Sequence, residues 1–214
     1  MRPLGPRPRP TGVRETDSAT TEGRCLVPTG VALRDVRRQL FDAAERVLLR
    51  DGSNALTSRA VTAEAGCAKG VLHRHFADFD DFLVELVQRR IVGFEAWGAT
   101  MRSNAGTGDV AENIADVLNG VLNRLGLALI GLIMARDELR VRLRGERDFG
   151  IPYLAEATEM IAGYLIAERD WNRVAEATDA RNLALTLVGT AHLVAGEGNE
   201  IDPGLLRTII GPAQ

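Results

Sequence analysis

Residues 66–76 read GCAKGVLHRHF and gather the chain's only lysine, an arginine and two histidines into one turn and one short helix. Such groups serve two chemistries: imidazoles bind metals, while Lys, Arg and His together hold phosphates or other anions. His73 and His75 make a poor metal pair, because side chains at i and i+2 on a helix diverge. The only other histidine is His192, and no Cys or His pair at zinc-ligand spacing accompanies them, so no metal or cofactor is expected. Cys67 directly follows Gly66, where a small apolar residue packs, which argues against a Cys67–His75 nucleophile pair. No catalytic set emerges, and an enzyme is not expected. A solvated helix face and a surface shaped for a polyanion remain.

Geometry favours the polyanion. Over a helix of about nine residues, Ala68 to Phe76, Leu72 and Phe76 share the buried edge. Lys69, His73, Arg74 and His75 lie on or beside the opposite face, which Gly70 and Val71 keep low enough to enter a groove. Local helix propensity is poor. Ala68 offers no capping oxygen, Lys69 opposes the helix dipole, Gly70 is flexible and Val71 is β-branched. A missing cap alone costs about 1 kcal/mol. Packing must therefore hold this helix, leaving its outer residues to serve another surface. Double-stranded DNA fits: Lys and Arg read guanine edges or phosphates, and His donates to phosphate.

The elements around this segment are helical. Leu33, Val36, Leu40, Ala43, Ala44, Val47 and Leu48 recur at helical spacing up to the turn cluster Asp51-Gly52-Ser53-Asn54. Thr57 or Ser58 can cap a second helix with Val61 and Ala65 turned inward, and Gly66 ends it in the left-handed conformation. Three short helices with a glycine break before the last form a helix-turn-helix. A longer helix over 80–101 opens with aspartates that complement its dipole. Helical periods continue through about 109–125, 127–144, 152–170, 178–196 and 203–210, with no period-two run of strand length. The expected fold is all-α: a disordered basic arm over 1–30, a three-helix helix-turn-helix domain over 31–78, and a larger helical domain over 79–214.

Charge supports this division. Residues 1–76 hold 13 Arg or Lys against 8 Asp or Glu, and residues 77–214 hold 13 against 21. A basic end on an acidic body suits a polyanion partner despite the overall formal charge of -3. Two cysteines are too few for a disulfide scaffold and point to a reducing, cytoplasmic setting. The longest apolar run, LGLALIGLIMA, has 11 residues, against the roughly 20 that a membrane helix needs, so no membrane partner is expected.

Ala43-Ala44, Gly52, Leu56-Thr57, Val61, Ala65-Gly66, Lys69-Gly70, Leu72, His75-Phe76 and Leu83 keep one continuous spacing. On these residues the stretch 33–83 closely resembles the N-terminal domain of TetR-family transcriptional regulators. The resemblance implies a homodimeric repressor of a palindromic operator, released by a small effector. By family position, Lys69, Gly70, Val71, His73 and Arg74 would face bases or backbone, and Thr57, Ser58, Arg59 and His75 would mainly contact phosphates. The chain departs from the family where His73 replaces a tyrosine and where Ala68 replaces a serine. It departs again where Asp78-Phe79-Asp80-Asp81 stands in place of a lysine, which puts acid near the DNA edge.

The following residues match the family only in being helical. Phe94, Trp97, Met101, Leu118, Met134, Tyr153, Met160 and Tyr164 supply large apolar groups for a cavity that would take a largely apolar effector. No charged constellation announces a ligand class. Residues 180–198 are apolar around much of the helix, and the resemblance makes Leu183, Leu187, Ala191 and Val194, with Leu205 and Ile209, a dimer interface. The rival readings are a helical protein-interaction adaptor that keeps the motif without DNA binding and, further off, an all-helical enzyme.

Overall fold

A computed structural model describes residues 31–145 and 150–211. The arm at 1–30, and Cys25 with it, lies outside the described residues. Within them the chain forms ten α-helices, a single 3₁₀ turn at Ser53–Ala55 and no strand. Helices α1 (Val31–Asp51), α2 (Ser58–Glu64) and α3 (Val71–His75) make a small head, and α4 (Phe79–Ser103) leads out of it. The body contains α5 (Val110–Val121), α6 (Arg124–Ala135), α7 (Asp137–Arg144), α8 (Pro152–Arg169), α9 (Ala180–Gly196) and α10 (Pro203–Ile210).

The head closes around one side of α1. Leu40, Phe41, Ala43, Ala44, Val47 and Leu48 are all buried there, together with Leu56, Val61, Leu72 and Phe76. Phe41 stacks on Phe82 of α4 at 5.1 Å, and Phe76 meets both rings edge-on at 5.5 and 5.0 Å. These contacts fix the C-terminal end of α3 to α1 and α4 at once. In the body, α8 packs along both α4 and α9, and α5 packs on α10.

Three helix boundaries differ from the sequence reading. Helix α3 has five residues rather than about nine, because 67–70 form a turn in which the Val71 amide donates to the Ala68 carbonyl at 2.9 Å. Gly70, its N-cap, supplies no side-chain oxygen, so the helix starts late. The helix expected over 109–125 ends at Val121, because the Asn123 side chain accepts from the Leu125 and Gly126 amides at 3.0 Å and starts α6. Gly126 is no break. A Cβ there would stand 2.0 Å from the Val121 carbonyl oxygen, so glycine is what lets the α5–α6 corner close. The helix expected over 127–144 is divided at Arg136, whose backbone is extended (φ -131, ψ 101).

Candidate nucleic-acid interface

The outer face of the head is built from α2, the turn after it and α3. Thr57 caps α2 by accepting from the Ala60 amide at 3.1 Å, and Gln39 of α1 donates to the Ala65 carbonyl at 2.7 Å at the other end. Gly66 follows with φ +65, the left-handed conformation that turns the chain out of α2. Arg37 then positions α3. Its guanidinium donates to the His75 carbonyl at 2.6 Å, pairs with Glu85 of α4 and lies 4.2 Å above the Phe76 ring. A helix too short to be stable alone is thus held in a fixed direction.

Arg59, Lys69, Gly70, His73 and Arg74 are exposed, with Thr57 exposed beside them and Ser58 and His75 half-buried. Val71 does not belong to this set. It is 7% exposed and packs in the head core, because a helix beginning at residue 71 turns its first side chain inward next to Leu72. Of the DNA-facing group, its side chain is the one the structure removes.

Charge pairing separates this face from the rest of the head. Arg46 and Arg50 both bind Glu64 at 2.8 Å, Arg50 also binds Asp51, and Arg37 binds Glu85. Arg59, Lys69 and Arg74 have no carboxylate partner among the described residues. Unpaired cations on one exposed face hold phosphate without first breaking internal bonds. His75 titrates below the usual imidazole range, because partial burial, then Arg37 and Arg74, disfavour its cation.

The acidic stretch 78–81 is not a bare DNA edge. Asp78 caps α4, accepting from the Asp81 amide at 2.7 Å, and Arg142 of α7 grips its carboxylate through two bonds of 3.1 and 3.0 Å. Arg142 also binds Asp81 at 2.7 Å. These hydrogen bonds, Arg142 first, hold the Asp78 carboxyl below its usual pKa. Arg136, at the α6–α7 break, donates to the Leu56 carbonyl at 2.9 Å, stands 3.8 Å from Asp80 and lies over Phe79. The acids join head to body, and sequence reasoning missed both arginines because their partners lie some 60 to 80 positions away.

The expected effector residues fall into four groups. Trp97, Met101 and Tyr164 line a cavity of about 320 Å³ between α4, α5 and α8, together with Thr100, Asn104, Asn113, Asp116, Val117 and Gly120. Phe94 and Met160 line a separate cleft between α4 and α8. Leu118 and Tyr153 are core: Tyr153 donates to the Val121 carbonyl at 3.0 Å, and burial pushes its hydroxyl up to about 12. Met134 stands half-exposed on α6, away from the cavity. Helical spacing alone puts them on one wall because it does not say which helices meet.

The interface expected on α9 is also revised. Leu187 and Ala191 are wholly buried within the chain, where α9 packs on α8, and Leu183, Val194, Leu205 and Ile209 are half-buried. The outward apolar residues are Leu185, Leu193 and, on α8, Ile166. Among the described residues no single helix is long and apolar enough to cross a membrane.

Residues 40–86 match the family model described as bacterial regulatory proteins, tetR family. No curated protein matches the chain. Among solved structures, a TetR-family member from Streptomyces coelicolor A3 is 28% identical, covers 82% of this chain and 96% of its own, and superposes with a TM-score of 0.61. The multidrug binding protein EbrR complexed with imidazole is 26% identical over 81% of this chain and 92% of its own, with a TM-score of 0.59. The transcriptional regulator FadR from Bacillus subtilis, complexed with stearoyl-CoA, shares the fold at 18% identity, over 81% and 95% of the two chains, with a TM-score of 0.58. With a head whose residues 40–86 match the tetR-family model, set on an all-helical body, the chain has the fold of TetR-family regulators.

Proposed function

We propose that this regulator is a homodimeric repressor that binds a palindromic operator through α3 and is released by a small effector bound in the body. The observation that carries the reading is the outer face of the head, where Arg59, Lys69 and Arg74 stand exposed without carboxylate partners while Arg37, Arg46 and Arg50 of α1 are tied. Lys69, Gly70, His73 and Arg74 supply base-edge and backbone contacts, and Thr57, Ser58, Arg59 and His75 supply phosphate contacts. The Thr57 oxygen already accepts from the Ala60 amide, so its hydroxyl proton is the part left for a phosphate. Lys69 and Arg74 are close enough in sequence to read only a few base pairs. Two copies therefore have to act together, about 34–36 Å apart on one face of the duplex.

Leu185 and Leu193 on α9 and Ile166 on α8 leave apolar side chains exposed on two helices that pack on each other, which supports self-association. Small-molecule control is supported by the cavity at α4, α5 and α8 and by structural relatives that hold imidazole and stearoyl-CoA. Helix α4 is the lever: it carries Phe82 in the head cluster and Trp97 and Met101 in the cavity. An effector releases DNA only if it prefers a dimer whose α3 helices are wrongly spaced.

The test is a salt-dependent titration of the protein against DNA flanking its own gene, with light scattering for its mass. Tight binding by a dimer, weakening steeply with salt, is expected. Binding that ignores salt, or a monomer that binds as tightly, overturns the reading in favour of an interaction adaptor.

A further inference from the structure

The cavity between α4 and α5 holds more chemistry than an apolar hole. Residues 97, 100 and 101 of α4 with its C-cap 104, and 113, 116, 117 and 120 of α5, each follow the i, i+3, i+4, i+7 spacing of one helix face, and those two faces line the same gap. The far edge of the Trp97 ring packs against Gly120, where an added Cβ would come within 3.3 Å of it. The indole stays 40% exposed, stacks on Phe94 at 6.0 Å and lines the cavity. Asn113 donates to the Tyr164 hydroxyl at 2.8 Å and to the Thr107 carbonyl at 3.1 Å, which fixes the polar end. Burial, then the nearby Glu168, raises the Tyr164 pKa, so the phenol stays neutral.

One charge remains on the wall. Asp116 is the only acid or base among the lining residues besides that phenol, and no cation pairs with it among the described residues. The other carboxylates close to this region are occupied: Asp109 caps α5 and binds Arg207, and Glu168 binds Arg173 at 3.1 Å. A carboxylate facing a cavity beside an indole attracts a cation twice, by charge and through the ring's negative face. It repels an anion by the same field.

Resting on the effector-responsive reading, we infer that this cavity takes a flat aromatic monocation, a quaternary or protonated ring nitrogen set between Asp116 and Trp97. The volume of about 320 Å³ suits a small polycyclic ligand. Thr100, Asn104 and Asn113 offer neutral hydrogen bonds that orient its edge without competing for its charge.

The probe is N-methylquinolinium, measured by calorimetric titration of the full chain beside its neutral isostere 1-methylnaphthalene and the anion 1-naphthoate. The cation is expected to bind about tenfold tighter than the hydrocarbon, and the anion weakest. Asp116→Asn should bring the cation down to the hydrocarbon's affinity and leave the hydrocarbon unchanged, which also shows that the cavity is intact. Trp97→Leu should weaken both. No binding of the cation, equal affinity for the three probes, or an Asp116→Asn loss shared equally by the hydrocarbon overturns the assignment. DNA release is read separately. Cation binding that depends on Asp116 but leaves the operator bound keeps the site and removes the effector reading. Release by 1-methylnaphthalene as readily as by the cation keeps the effector reading and removes the site.

Discussion

The head and the body are built on opposite economies of space and charge. The head, residues 35–76, packs Phe41 and Phe76 against Phe79 and Phe82 of α4 in a four-ring cluster, and Arg37, Arg46 and Arg50 of α1 are matched to carboxylates. Its unmatched cations face outward on one side. The body keeps an open cleft between α4, α5 and α8 with an unmatched carboxylate on the wall. A rigid head suits a surface that must meet DNA at fixed spacing, since packed cores transmit displacement instead of absorbing it. A body with an open cleft suits a part that must answer to a bound molecule.

Breaking the ring cluster tests the rigid side of this contrast and should have the largest effect. Phe76→Ala removes a 5%-exposed ring that touches Phe41, Phe82 and Arg37. A loss of about 3–5 kcal/mol in unfolding free energy is expected, and α3 should lose its fixed direction and its DNA affinity. Urea unfolding by circular dichroism reads the first, and a gel-shift titration the second. A loss under about 1 kcal/mol would mean that the cluster is not what holds α3.

The outward charges come next. Lys69→Ala and Arg74→Ala should each weaken operator binding, and one of them should relax base preference at one position by about 1–3 kcal/mol. Arg46→Ala, whose partner is Glu64, should leave DNA binding near parental. If the paired arginine matters as much as the unpaired cations, the distinction between the two sets fails.

Much of the head is legible in the sequence because its forces are local. The 3.6-residue spacing of Leu40, Ala44, Val47 and Leu48, the Thr57 cap and the left-handed Gly66 each act within a few residues. Even there, Val71 was misplaced, since moving the start of α3 by three residues turns a flanking side chain inward. The body was less legible. Its helices announced themselves, but which faces meet depends on crossing geometry that spacing does not encode. For that reason Leu118 and Tyr153 passed for cavity wall, Leu187 and Ala191 for dimer surface, and Asp116 went unremarked. The extended residue at Arg136 carries no glycine or proline to betray it.

The join between head and body sharpens the comparison further. Arg142 bridges Asp78 and Asp81 in an exposed position, so the pairs contribute little to stability in water. They set direction. Arg142→Gln should leave the melting temperature and effector-free operator affinity close to parental while reducing the loosening of DNA by a bound effector. Paired DNA titrations with and without saturating effector measure that ratio in the parent and the variant. An unchanged ratio would place the coupling in α4 alone.

The smallest expected effect concerns protons at the DNA face. The imidazole of His75 is disfavoured as a cation by burial and by Arg37 and Arg74, so it binds fewer protons in the folded chain than in the unfolded one below the ordinary pKa of 6.5. Its contribution to stability is complete above that pH. It declines as pH falls through 6.5 and levels off once the lower folded pKa is passed. DNA should act in the opposite sense. Phosphate beside the ring favours the cation, so acidification through the same window should tighten the complex while it loosens the fold. His75→Asn removes both trends, and His73→Asn as a common background prevents the neighbouring exposed imidazole from masking them. The measurement is the difference between parent and variant in unfolding free energy and in operator affinity at several pH values between about 5 and 8. If parent and variant keep parallel profiles in both, His75 neither resists protonation in the fold nor meets phosphate, and the head's contribution to DNA binding rests on its permanent cations.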